Sequence, residues 1–298
     1  MISLSPDSLL LNDCKFMPDS KYVAVEKRPR REFLTESVEK FEVETLLGIV
    51  SLLSNKIARI VAARRIPSGY SFSCLVEDGD FDDLMNVQSN FKKLLELDSS
   101  LFTFYVDSAQ LFSKSLLLKD IDFSVAFSLL VFSIENMSNR IYGTKNKKRH
   151  LVRFAKNYVP LEKRFLTNEI RQLEFSGARE MEALFKRMLS ESYSMRCNFV
   201  HDAQPISPLS QIAEHLSMAF VSNDGKQVFP SYSWLRRVSH VALTNFLEKQ
   251  QSKSTNTLES YFDTYETSHF KPKKAIEKGQ QITENDVYLQ RIESSVRT

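Results

Sequence analysis

The stretch Ser194-Met195-Arg196-Cys197-Asn198-Phe199-Val200-His201-Asp202 closes a long amphipathic run that begins at Ala178. Within that run Met181, Leu184, Phe185, Met188, Met195 and Phe199 fall on one face at helical spacing, which predicts an amphipathic helix. Pro205 and Pro208 stop it, because proline lacks the amide proton a helix needs and disfavours helical geometry in the residue before it. An arginine and a histidine near the end of such a helix matter chemically. Histidine exchanges protons near neutral pH, and the planar guanidinium grips phosphate through parallel donors.

Outward from this run the pattern stays helical. Phe123, Ala126, Phe127, Leu130, Ile134, Met137 and Ile141 form a second apolar seam, ended by Gly143. Residues 144 to 150 make a basic connector, followed by shorter helices at about 150 to 158 and 160 to 174. A helix near 208 to 221, a turn at Asn223-Asp224-Gly225 and a last helix from Tyr232 to Lys249 complete this part. In the N-terminal part, Tyr22 to Val25 and Tyr70 to Val76 read as short strands. The stripe from Phe41 to Val61 predicts one helix over 35 to 63 with Thr35 as N-cap, and another spans about 81 to 97.

Composition agrees with a mainly α-helical protein. Among 298 residues there are only 7 glycines and 9 prolines, too few for a turn-rich β protein, while 22 phenylalanines supply core volume without polar atoms to satisfy. The expected organisation is a mostly helical N-terminal region with a few short strands (1 to 104), a helical-bundle domain (105 to 250), and a polar linker with a short appendage (251 to 298). Within that appendage residues 275 to 287 resemble the opening of SAF-type domains, with too little chain left for a whole one.

The net charge of +3 does not by itself name a nucleic-acid partner. Cys14, Cys74 and Cys197 are far apart and lack zinc or redox spacing, which points to free thiols in a reducing cytoplasm. The histidines show no metal-ligand spacing, so neither metal nor cofactor is expected. The N-terminus has no signal-peptide pattern, and the most apolar run, Phe123 to Met137, is too short for a bilayer.

The Arg-x4-His pattern of Arg196 and His201, closing an apolar helix with Tyr193 just upstream, resembles the signature of the HEPN superfamily, in particular its Apea-like branch. That resemblance implies a helical bundle, usually homodimeric. Many HEPN proteins are metal-independent endoribonucleases of toxin–antitoxin, phage-defence and RNA-guided systems. It gives His201 the acid/base role and Arg196 the stabilisation of phosphorane charge, as the 2′-hydroxyl of single-stranded RNA attacks the adjacent phosphorus. A regulatory protein partner is a further expectation of that reading. Cys197 departs from the family pattern, which often has asparagine directly after the arginine; here Asn198 follows one residue later.

On an ideal helix Arg196 sits about 60° from the centre of the apolar stripe and about 140° from His201. The two meet at one phosphate only if the helix frays near Val200 or a second copy supplies one of them. Other readings stand beside this one. Arg196 could instead pair with Glu135 or Asp202, and His201 could simply sit at the negative end of the helix dipole. Lys145, Lys147, Lys148 and Arg149 are candidates for contacting RNA phosphates, or a solvated loop. The alternative function is a non-catalytic HEPN dimerisation module that binds a protein, RNA or a nucleotide.

Overall fold

A computed structural model describes residues 14–16, 22–27, 36–66, 69–77, 81–166, 169, 177–215, 220–221, 228–250, 254–258 and 260–262. It is mainly helical. Strands β1 (Cys14–Phe16) and β2 (Tyr22–Lys27) precede helix α1 (Glu36–Ser54), and β3 (Ala58–Ile66) and β4 (Gly69–Val76) follow it. These strands form an antiparallel sheet in the order β1-β2-β4-β3. Helices α2 (Phe81–Leu95), α3 (Ser99–Leu118), α4 (Phe123–Tyr142) and α5 (Lys147–Tyr158) come next. The chain continues through α6 (Ala178–Asp202), α7 (Pro208–His215), a two-strand ribbon of β5 (Phe220–Val221) and β6 (Val228–Phe229), and α8 (Tyr232–Lys249).

The expected helix over 35 to 63 is two elements. Asn55 adopts a positive φ of 55°, a conformation asparagine tolerates better than most residues, and this ends α1. The Ser51 hydroxyl then accepts the Ala58 amide, turning the chain into β3. Helix α3, which the sequence reading did not single out, forms an antiparallel hairpin with α4; Asn136 on α4 donates to the Phe104 carbonyl on α3. Asp122 caps α4 by accepting the Val125 amide at 3.0 Å, and Gly143, at φ 90°, closes its other end. Gly48 lets α1 approach α3 closely, since a Cβ there would lie 3.3 Å from the Gln110 backbone.

α5 begins at Lys147, inside the expected basic connector, and residues 161–163 form a short 3-10 turn. α7 is described through His215, and Phe220–Val221, expected at the end of that helix, is strand. Within the expected 160 to 174 helix, residues 164–166 are not helical and 167–168 and 170–174 lie outside the described residues, as do the expected turn at 223 to 225 and the 275 to 287 appendage.

The core is built around α8. Its N-cap Ser231 accepts the Trp234 amide, and Trp234 Nε1 donates to the Arg164 carbonyl at 3.0 Å, which satisfies the indole in an otherwise apolar setting. Phe246 meets Phe154 at 5.8 Å and Tyr158 at 5.3 Å. Helices α1 and α2 also reach α8, so elements on both sides of residue 104 share one core. Chain contacts divide the protein into a unit through Asn256 and a second unit from Thr257 onward. Asn256, in the stretch read as a polar linker, is buried and donates its side-chain amide to the carbonyls of Leu95 and Leu97. In the second unit Thr257 and Ser260 exchange hydrogen bonds at the start of a helical turn. Among the described residues no helix is long and apolar enough to cross a membrane.

His240 on α8 is half-buried beside Phe112, its ring Nε2 out of reach of solvent, with Arg236 and Lys163 as the charges felt at the ring. Burial pushes its pKa down to about 4, partly opposed by a hydrogen bond to the Leu53 backbone, so the folded protein holds it neutral. The unfolded chain binds that proton more readily, and stability is therefore lost as pH falls from about 6.5 through 4. Urea unfolding at pH 7, 5.5 and 4 should show a falling midpoint, and His240→Leu should make that fall smaller.

Candidate functional site

Helices α4 and α6 run antiparallel. The Ile206 amide, just past α6, donates to Ser124 at the start of α4, whereas Glu135 and Arg196 meet further along. Along this seam the sequence places one acid and one base among apolar neighbours. The fold pairs them. Glu135 and Arg196 are both buried, and Arg196 Nη2 lies 2.6 Å from Glu135 Oε2.

Several groups complete the cluster. The guanidinium lies over the Phe132 ring at 3.9 Å and within 5.5 Å of the Tyr193 ring, so its faces meet π-electrons as its edge meets the carboxylate. Lys147 at the start of α5 reaches Glu135 Oε1 at 3.4 Å, and Asn139 donates to the same oxygen at 3.4 Å. The Arg196–Glu135 approach is a charge contact rather than an aligned hydrogen bond. Glu135 Oε2 has no aligned donor, and Arg196 Nε and Asn139 Oδ1 are buried without partners. Such orphaned polar atoms are uncommon in a packed interior and mark a cluster with unused bonding capacity.

Tyr193 and Cys197 form its outer margin. Arg196 Nη1 donates to Cys197 Sγ at 3.4 Å. Burial raises the Tyr193 pKa to about 12, and the hydrogen bond with Cys197 adds to the rise. Cys197 thus touches the arginine rather than the imidazole.

His201 stands apart. It is exposed, one residue before the end of α6, and forms no hydrogen bond or ion pair among the described residues. The helix does not fray at Val200. Ala203 takes a left-handed conformation and the Gln204 amide returns to the Asn198 carbonyl, sealing the terminus. Within one chain Arg196 and His201 therefore remain separated, as the helical angles require. The Asn198 side chain is exposed on the far side of α6.

The basic residues divide as well. Lys147 belongs to the buried cluster, and Lys148 donates to Ser194 on α6 at 3.0 Å. Lys145 and Arg149 are exposed. Lys147, Lys148 and Arg149 occupy the first turn of α5, which contains no acid, and Asn146 provides no side-chain cap. Cations at the positive end of a helix repel its dipole, so this corner favours an anion. Glu135 supplies one negative charge from below. The sequence reading weighed the Glu135–Arg196 pair, but it missed Phe132 and the Lys147 contact. Phe132 precedes Glu135 by three residues, a spacing that puts both on one helical face.

No group of three or more His, Cys, Asp or Glu side chains is arranged to hold a metal among the described residues. A scan of protein-family models gives no match to this chain, and neither the curated proteins nor the solved structures contain one.

Breaking a buried ion pair from one side leaves an uncompensated charge. Glu135→Leu should therefore destabilise the fold by about 3–5 kcal/mol. Adding Arg196→Met should restore most of that loss, because two apolar side chains leave nothing unpaired. Lys147→Ala should cost under about 1 kcal/mol, since Lys147 is 43% exposed. Chemical denaturation of the four proteins measures all three effects.

Proposed function

We propose that this chain is a HEPN-type, metal-independent endoribonuclease that cleaves single-stranded RNA as a homodimer. The observation that carries the reading is the antiparallel α4–α6 pair. It holds Arg196 rigidly at a seam and leaves His201 open at the helix end, with the cationic start of α5 alongside.

The need for a second copy follows from the same geometry. Between Arg196 and His201, the face of α6 carries half-buried Tyr193 and Cys197 and exposed Val200; α4 adds half-buried Leu129 and Phe132. An apolar, incompletely covered face between two functional groups suits a twofold contact, in which one patch meets its own copy. His201 of one chain would then approach the arginine region of the other.

In that arrangement His201 removes the proton from an RNA 2′-hydroxyl, and the resulting alkoxide attacks the adjacent phosphorus. The phosphorus–5′-oxygen bond breaks, leaving a 2′,3′-cyclic phosphate and a 5′-hydroxyl that takes up a proton. Arg196 stabilises the charge that builds on the phosphoryl oxygens, and Glu135 fixes its direction. Lys148 and Arg149 hold flanking phosphates. Unpaired RNA is favoured because its 2′-hydroxyl swings into line more easily. A role in the bacterial cytoplasm, in phage defence or a toxin–antitoxin-like system with a regulatory partner, rests on the HEPN resemblance alone.

One observation favours a second reading. Arg196 is only 6% exposed and its charge is already met by Glu135, which suits a non-catalytic dimerisation module that binds RNA, a nucleotide or a protein.

Labelled single-stranded RNA incubated with the protein in EDTA separates the two. On the catalytic reading the wild type cuts, His201→Ala loses about 100-fold or more, and Arg196→Lys, which keeps the charge and loses the fork, also falls. Equal cutting by all three proteins points to contamination and removes the catalytic assignment. RNA binding without cutting leaves the second reading. Sedimentation should show a dimer that Val200→Asp converts to monomer, with cleavage lost in parallel.

A further inference from the structure

β3 lies at one outer edge of the four-stranded sheet, and a cleft of about 520 Å3 runs between it, α1 and α3. All five consecutive residues from Ala58 to Ala62 line this cleft. Successive strand side chains point to opposite faces, so lining by every residue in a row places the cleft along the strand's edge rather than against one face. An edge strand presents amide and carbonyl groups without a neighbouring strand, and a groove beside it is shaped for one more extended chain.

The walls specify what kind of chain. Val61, where the β3–β4 register shifts, is 44% exposed, and Leu117 on α3 is 39% exposed; together they give apolar contact for alternate side chains. Nine residues of β3 include Arg59, Arg64 and Arg65 and no acid. Arg59 is 3.2 Å from Glu77, and Lys40 lies 3.9 Å from Glu44 one turn along α1. Lys114 on α3 is exposed and has no ion-pair partner among the described residues. A second copy of β3 would set arginines against arginines, which opposes self-pairing.

We infer that the β3–α1–α3 groove is a docking site for an extended acidic segment of a partner protein, which adds a fifth strand to the sheet at β3. Its backbone pairs with the outer edge of β3, its apolar side chains rest on Val61 and Leu117, and its carboxylates face Lys114 and Arg59. This site is separate from the α4–α6 seam and stands whether or not RNA is cleaved there.

Random dodecapeptides displayed on phage, selected on the full-length protein, test the proposal directly. The winners should alternate β-branched and acidic residues. The leading peptide, labelled with fluorescein, should bind by anisotropy and lose about five-fold in affinity with Lys114→Glu. Methylating alternate backbone nitrogens on the side that faces β3 should abolish binding without altering the protein at all. Absence of enrichment, winners that are basic or helix-forming, or indifference to both the methylated peptide and Lys114→Glu would overturn it. Displacement of the peptide by polyuridylate that itself needs Lys114 would also overturn it, by making the groove an RNA track.

Discussion

A buried carboxylate facing a buried guanidinium sets the terms for this molecule. Removing Glu135 and Arg196 from water is costly, and their attraction compensates only while the two helices hold one register. The pair fixes how α4 and α6 lie along each other and, through Lys147, where α5 starts. Because α6 is rigid from this anchor to its sealed end, the direction of His201 is settled by a contact about one and a half turns away.

The electrostatics explain why the pair is unfinished. Its two members touch, yet Arg196 Nε and Asn139 Oδ1 are left without partners in the same small volume. An arrangement serving only stability would be nearly matched by apolar side chains of similar size. The retained polarity, set beside an acid-free helix start with three cations, is the physical basis for reading this corner as one that meets phosphate.

Much of the helical frame was legible because periodicity and caps agreed. For α4 and α6, apolar positions at helical spacing coincided with clear stops at Gly143 and Pro205. The boundary between α1 and β3 was not legible, because Ala58 to Ala63 continue a plausible helical stripe and the decisive event is one asparagine turning left-handed. α3 was overlooked because serines are interspersed through its apolar positions; several are buried and bond their own helix or a neighbour. At the site, helical angles were enough to foresee that Arg196 and His201 diverge. They could not tell which acid meets the arginine, since Glu135 is 61 residues away in sequence and only the tertiary fold chooses it over Asp202.

Asn256 closes the corner between α2 and α3 from about 160 residues downstream, by capping the carbonyls of Leu95 and Leu97 and accepting the Ser99 hydroxyl. During synthesis on the ribosome those carbonyls emerge long before their donor does. The corner therefore stays hydrated, and the helices that flank it loosely joined, until nearly the whole helical unit has left the exit tunnel.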